Sequence, residues 1–251
     1  MSSLRIAAAQ SVSVPGDIAA NVAAHCKFIA EASACDVDIV VFPELSLCGY
    51  ELSLIGACAL HPDDEALAPI RKLASGKAIS VIVGAPIVSP SNRIHIGAIT
   101  FLPNGETSIY CKHHLHPGEE RFASACALPC STYRVGGEAI ALAICADTAH
   151  ETHPQAAAAA GASLYLASVL VSDPGYVTDA GNLQRYSERY RMATLMANHG
   201  GPTGGYVSAG KSAFWSPEGK LVVAAPSAGQ YLVIASKSSE GWTGDFRKIE
   251  T

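Results

Sequence analysis

The sequence predicts an α/β (α+β) fold built as a layered sandwich, and three observations carry that prediction. Short apolar runs of strand character alternate with stretches of helical period along most of the chain. Pro103-Asn104-Gly105 joins two such runs, a strong hairpin signal. Of the 251 residues 49% are hydrophobic and only 16% are charged, which suits much buried strand and argues against disorder.

Taken in order, residues 4–9 form an apolar strand, and Asp17 is placed to cap a helix with Ile18, Val22, Cys26 and Ile29 on one face. Residues 38–42 read as a buried strand that ends at Pro43-Glu44. A helix is expected over 63–74 and a strand over 78–84, then strands over 94–102 and 107–111 flanking the hairpin turn. After the Gly136-Gly137 turn comes a strand over 139–145, followed by a short helix containing the alanine run 155–160 and a strand over 163–168. A longer helix is expected over 183–198, with closing strands over 206–216, 221–225 and 231–235. No low-complexity linker divides the chain, so residues 1–251 are read as a single domain, a size α/β folds often reach undivided. Both halves alternate helix and strand, without a sequence repeat sharp enough to mark duplication.

A formal net charge of −5 and the lack of a basic cluster argue against nucleic acid as a partner. The N-terminal residues lack the charged start and apolar stretch of a signal peptide, and no apolar run reaches the ~20 residues that span a bilayer. The 8 cysteines are scattered, several within apolar runs where a free thiol packs as a small hydrophobe. They are read as reduced thiols in a cytoplasmic protein.

Three segments place a reactive side chain just beyond an apolar strand: Glu44 after Val40-Val41-Phe42-Pro43, Lys112 after Ile109-Tyr110-Cys111, and Cys145 after Leu142-Ala143-Ile144. Strand ends of layered α/β folds join a rigid scaffold to solvent access, and active groups gather there. Singly, each has an ordinary structural explanation: a turn carboxylate, a surface lysine, a core cysteine. Together they make a mechanism. A thiol of ordinary pKa ~8.5 is mostly protonated at neutral pH. A buried cation such as Lys112 favours the thiolate, and a carboxylate such as Glu44 can take the proton. The lysine can also face the oxyanion of a tetrahedral intermediate, beside the backbone N–H of Ala146.

Phe42-Pro43-Glu44-Leu45, Tyr110-Cys111-Lys112-His113-His114-Leu115 and Ile144-Cys145-Ala146-Asp147, in that order and spacing, resemble the nitrilase superfamily of carbon–nitrogen hydrolases. The resemblance runs from Ile6-Ala7-Ala8-Ala9-Gln10 to the segment ending at Gly219. It implies a four-layer αββα sandwich of the nitrilase type, associated as homodimers or larger oligomers. It implies Glu44 as general base, Lys112 as stabiliser of the intermediate and Cys145 as nucleophile. The second glutamate of many members falls eight residues after the lysine, at Glu120, with neighbouring Glu119 the competing assignment. The implied reaction attacks a small-molecule amide, forms a thioester on Cys145 and hydrolyses it with water activated by Glu44, with no metal and no organic cofactor.

The loop after the nucleophile departs from the family pattern. Many members carry an aromatic residue and then Phe-Pro-Glu, and true nitrilases often a Trp-Glu pair. This chain has Ala146-Asp147-Thr148-Ala149-His150-Glu151-Thr152-His153-Pro154-Gln155. That tilts the expected substrate from nitriles towards a small linear amide or an N-carbamoyl amine. Nitrile hydrolysis, acyl transfer on the same site and a catalytically silent scaffold stand as alternatives. Tyr50, Ala146 and His150 are the candidate substrate-binding residues, His150 and His153 being read at the pocket rim or capping the following helix. Tyr176 and Asn198 are possible pocket or supporting residues.

Other signals in the chain lack the context their chemistry needs. Gly205 to Ser212 fits the P-loop pattern, but Ser216-Pro217-Glu218-Gly219 leaves no room for the helix a phosphate site needs. His113, His114 and His116 with Cys126 and Cys130 lack the spacing of a zinc site. Ser212 lacks the second glycine of a serine-hydrolase elbow.

Overall fold

The computed structural model describes residues 4–127 and 132–250. The chain begins with β1 (Arg5–Gln10), α1 (Ile18–Ala34) and β2 (Ile39–Val41), then α2 (Ala68–Gly76), β3 (Ser80–Val88), β4 (Ile94–Phe101) and β5 (Thr107–Cys111). It continues through β6 (Tyr133–Val135), β7 (Glu138–Ile144), α3 (Thr152–Ala159), β8 (Leu164–Val169) and α4 (Tyr176–Tyr190). It closes with β9 (Ala193–Asn198), β10 (Ala213–Trp215), β11 (Leu221–Ala224), β12 (Tyr231–Ser238) and β13 (Gly241–Lys248).

Two sheets result, one ordered β13-β12-β1-β2-β3-β4-β5 and the other β11-β10-β9-β8-β7-β6. Strand alternation shows how they stack. In β1, Ile6 and Ala8 face the shared interior, where they meet Ile140, Leu142, Leu164 and Leu195 of the other sheet. Ala7 and Ala9 face the opposite way, into a layer with Phe28 and Ile29 of α1 and Ile70 of α2. The second sheet repeats the logic: Ala141, Ala143, Tyr165 and Met196 point outward to Ala157 of α3 and Leu183 of α4. The order is helix, sheet, sheet, helix. This is the four-layer αββα sandwich expected from the resemblance.

The two halves share a wiring pattern that the sequence does not reveal as a repeat. In each, three parallel strands linked by helices are followed by two antiparallel ones: β1, β2, β3, β4, β5 and β7, β8, β9, β10, β11.

Several boundaries differ from expectation. The helix expected over 183–198 is two elements, because Arg191 adopts a left-handed conformation (φ 54°) that ends α4 and releases the buried strand β9. Only Ala213–Trp215 of the expected 206–216 strand is extended, since the backbone at Gly210 and Lys211 has positive φ. That strand start also leaves no helix after Lys211-Ser212, where a P-loop would need one. β6 and the exposed strand β13 carry too little apolar alternation to be read in advance.

Candidate active site

Glu44 sits in a tight turn just beyond β2, and the turn is gripped from several directions. Leu45 has φ 51°, and Leu47 N–H donates to the Gly84 carbonyl at 3.0 Å. A Cβ at Gly84 would lie 2.3 Å from the Pro43 carbonyl oxygen and 2.5 Å from the Leu45 nitrogen, so only glycine lets β3 approach this turn. His199 donates its Nε2–H to the Glu44 carbonyl at 2.7 Å. His199 is neutral, its pKa lowered by burial to about 4. Behind the turn the ring of His25 stacks on Phe42, with centroids 3.9 Å apart, and contacts Ser46 Oγ at 2.9 Å.

Lys112 follows β5 and is wholly buried. Its Nζ donates to Glu44 Oε1 at 2.6 Å and to Glu119 Oε1 at 2.8 Å. Glu119, not Glu120, is thus the second carboxylate on the lysine. Gly118 (φ 101°) starts a 3-10 turn over Glu119–Arg121 that directs Glu119 inward and leaves Glu120 in solvent, accepting from Gly118 N–H at 2.7 Å. Glu119 is locked on both oxygens. Tyr50 Oη donates to Oε1 at 2.6 Å and His116 N–H to Oε2 at 2.8 Å.

Cys145 occupies the sharp turn at the end of β7, with φ 41°, and opens a short 3-10 segment Cys145–Ala149. A non-glycine residue held in the left-handed region stores on the order of 1–3 kcal/mol of strain and occurs mainly where a side chain must be presented at a fixed angle. Its Sγ reaches the Leu170 carbonyl at 3.7 Å. The residue is only half-buried.

One side chain that sequence reasoning passed over joins the lysine and cysteine segments. Asp147 is buried; its Oδ2 accepts from Ile144 N–H at 3.0 Å and Tyr110 Oη at 2.6 Å. Its Oδ1 accepts from the backbone N–H groups of His113 at 3.1 Å and His114 at 2.8 Å. One carboxylate therefore ties the stretch after Lys112 to the strand end before Cys145. His153 is buried behind it, bridging Tyr110 Oη and Tyr165 Oη at 2.8 Å each, rather than standing at a rim. Burial lowers the His153 pKa to about 4. His150 is exposed and stacks on His114, with centroids 4.0 Å apart.

A cavity of about 240 Å³ opens at the nucleophile, lined by Tyr50, Cys145, Ala146 and Leu170 among others. This is below the roughly 300–1,000 Å³ of drug-sized pockets and suits a small molecule. Tyr50 and Ala146, expected as substrate-binding residues, both line it. His150 does not line it, because its stacking on His114 turns it away; His116 lines the cavity instead. Tyr176 lies outside it too, with Oη on the Lys211 carbonyl at 3.1 Å. Asn198 supports the wall from behind, its Oδ1 accepting from Val171 N–H at 2.8 Å. Among the described residues no three His, Cys, Asp or Glu side chains gather as ion ligands. Cys130, weighed with the loop histidines, lies outside the described residues.

The electrostatics bind the constellation together. Burial raises the Glu44 carboxyl to about 7, with Lys112 opposing and Glu119 adding to the rise. Burial pushes the Cys145 thiol up as well, reinforced by Glu44 and countered by Lys112. Burial opposes the charge of Lys112, yet Glu44, Cys145 and Glu119 outweigh it and hold the ammonium above its ordinary value. Each of the three groups feels the others, so chain-distant sulfur, carboxylate and ammonium lie within electrostatic reach of one another.

Comparison with known proteins agrees with this geometry. The carbon–nitrogen hydrolase family model matches residues 5–243. A cysteine-to-alanine variant of the amidase from Nesterenkonia sp. AN1, in complex with butyramide, is 26% identical with a TM-score of 0.85, over 93% of this chain and 90% of that one. Another form of that amidase carries the product of Michael addition of acrylamide at its active-site cysteine, with 26% identity, a TM-score of 0.84 and 92% of each chain covered. A cysteine-to-serine form, described as from the nitrilase superfamily, is 26% identical with a TM-score of 0.84, over 92% of this chain and 90% of that one. The present chain belongs to the carbon–nitrogen hydrolase family, with Cys145 at the catalytic position.

Proposed function

We propose that the protein is a cysteine amidase acting on a small linear amide or N-carbamoyl amine. The observation that carries this reading is the Lys112 ammonium clamped by two buried carboxylates, Glu44 and Glu119, within electrostatic reach of the half-buried Cys145. A buried cation with two anions and a thiol is an expensive arrangement with no use in a passive scaffold.

In the proposed cycle Cys145 Sγ attacks the amide carbon while Glu44 takes the thiol proton. Because the thiol is pushed up and Glu44 sits at about 7, transfer accompanies attack instead of preceding it. The tetrahedral oxyanion is met by Lys112 and by the Ala146 N–H, since the first N–H groups of a helical turn have no partner within it. Glu44 returns the proton to the departing nitrogen, ammonia or amine leaves, and a thioester remains. Water then loses a proton to Glu44 and attacks the thioester; the acid departs and Cys145 regains its proton. Glu119 acts by position, holding Lys112 through its shared oxygen and tying it to Tyr50.

The described cysteines are free thiols, which suits a reducing cytoplasm, and we extend the proposal to a homodimer or higher homo-oligomer. The deciding experiment screens amides, carbamoyl amines and nitriles for ammonia release, with intact-mass detection of the acyl group on Cys145. Wild type should release ammonia from small amides and carry the adduct, and Cys145→Ala should fold, turn over nothing and carry none. Activity retained in Cys145→Ala would sink the mechanism.

A further inference from the structure

The cavity at Cys145 has one wall that the reaction does not use. Asp179, in the first turn of α4, lines it together with Ser172 and Tyr206. Gly175 leaves room for the carboxylate: a Cβ there would lie 3.2 Å from Asp179 Oδ2 and 3.6 Å from Ser172 Oγ. Among the described residues lining the cavity there is no lysine or arginine, and the Asp179 carboxylate has no hydrogen-bond or ion-pair partner.

A first-turn acid is often placed to favour the helix dipole, facing solvent, and that setting lowers its pKa. Asp179 is half-buried and faces the cavity, and burial raises its pKa. Its charge is therefore partly desolvated without compensation, a cost that a cation would offset on arrival. The lining of the cavity is also aromatic. Tyr50 and Tyr206 meet edge to face with centroids 6.0 Å apart, and both line the space. Aromatic faces and one unpaired carboxylate are the two elements that recognise an ammonium group. Nucleophile and carboxylate line the same cavity. The Leu170 carbonyl touches Cys145 Sγ, and the same wall runs through Val171 to Ser172, roughly 7 Å of extended chain.

We propose that Asp179 is a specificity-determining residue that selects amides bearing a cationic amine at the end remote from the scissile bond. This rests on the amidase reading above and narrows it: the substrate is a short linear amide or carbamoyl amine with a terminal ammonium.

The test measures kcat/KM for three linear amides of equal length ending in an ammonium, a hydroxyl or a methyl group, with wild type and Asp179→Asn, and acyl-adduct mass on Cys145 in parallel. Wild type should favour the ammonium-ended amide by tenfold or more over the methyl-ended one. Asp179→Asn should collapse that ratio towards one, mainly through KM. Asp179→Lys should turn the selection against the cation. Turnover of all three amides by wild type without that preference, or a ratio unmoved by Asp179→Asn, overturns the role of Asp179 and leaves the amidase reading standing. No turnover and no adduct with any of the three overturns both.

Discussion

At the scale of single residues, the site turns on which of two adjacent glutamates touches the lysine. Consecutive residues in a 3-10 turn point roughly 120° apart, so only one of Glu119 and Glu120 can face inward. Glu119 does, with both oxygens engaged, while Glu120 faces solvent. Glu119→Gln should lower kcat/KM on the order of 100-fold, the scale of losing one aligned group at an oxyanion, whereas Glu120→Gln should leave steady-state kinetics within about twofold. Glu44, as the proposed general base, sets the expected pH dependence. A general base must be unprotonated, and burial places its carboxyl at about 7. Acylation rates should therefore rise with pH through an apparent pKa near 7 and flatten above it. A rate that is flat from pH 5 to 8 would remove Glu44 from the role of base.

At the scale of elements, the site depends on how strand ends are held together. Glu44, Lys112 and Cys145 leave β2, β5 and β7, and β7 belongs to a different sheet from the other two. Asp147 bridges that division by accepting from Ile144 N–H on one side and from His113 and His114 N–H on the other. Asp147→Ala would leave the three backbone N–H groups without this acceptor and cost Tyr110 Oη one of its partners. At about 1–3 kcal/mol for each buried group left unpaired, we expect a loss of at least 3 kcal/mol in urea unfolding. The folded remainder should also show a lowered kcat as Lys112 and Cys145 drift apart. Gly84→Ala forces β3 away from the Glu44 turn, because backbone atoms at 2.3 and 2.5 Å cannot yield cheaply.

At the scale of the whole molecule, the sandwich interior and the buried histidines govern stability. Phe214 reaches from one sheet to Trp242 of the other, with ring centroids 4.5 Å apart, and is wholly buried. Phe214→Ala should cost about 4 kcal/mol. Burial holds three histidines neutral, with pKa lowered to about 3 at His25 and about 4 at His153 and His199. The unfolded chain protonates them near pH 6.5 and the folded one does not, so their contribution is present above 6.5 and lost as pH falls towards 4. Glu44 acts in the opposite sense between 4.5 and 7, because its folded pKa is raised. The net is roughly two protons, on the order of 3 kcal/mol per pH unit between pH 6.5 and 4.5. His153→Gln should roughly halve that slope in urea titrations across this range, and an unchanged slope would contradict the assignment.

What the sequence by itself determined was local: apolar runs at strand period, an Asn-Gly turn, and three reactive side chains each one step past a strand. These are legible because strand alternation and turn chemistry act over a few residues. The choice of Glu119 over Glu120 was not legible, because it depends on the positive φ of Gly118 and the turn that follows. Nor could any spacing assign Asp147 its bridge, or turn His150 onto His114 and Asp179 into the cavity. Those placements were decided by tertiary structure alone. They come from segments brought together when two separately wired sheets pack face to face, and nothing in local periodicity records which ends will meet.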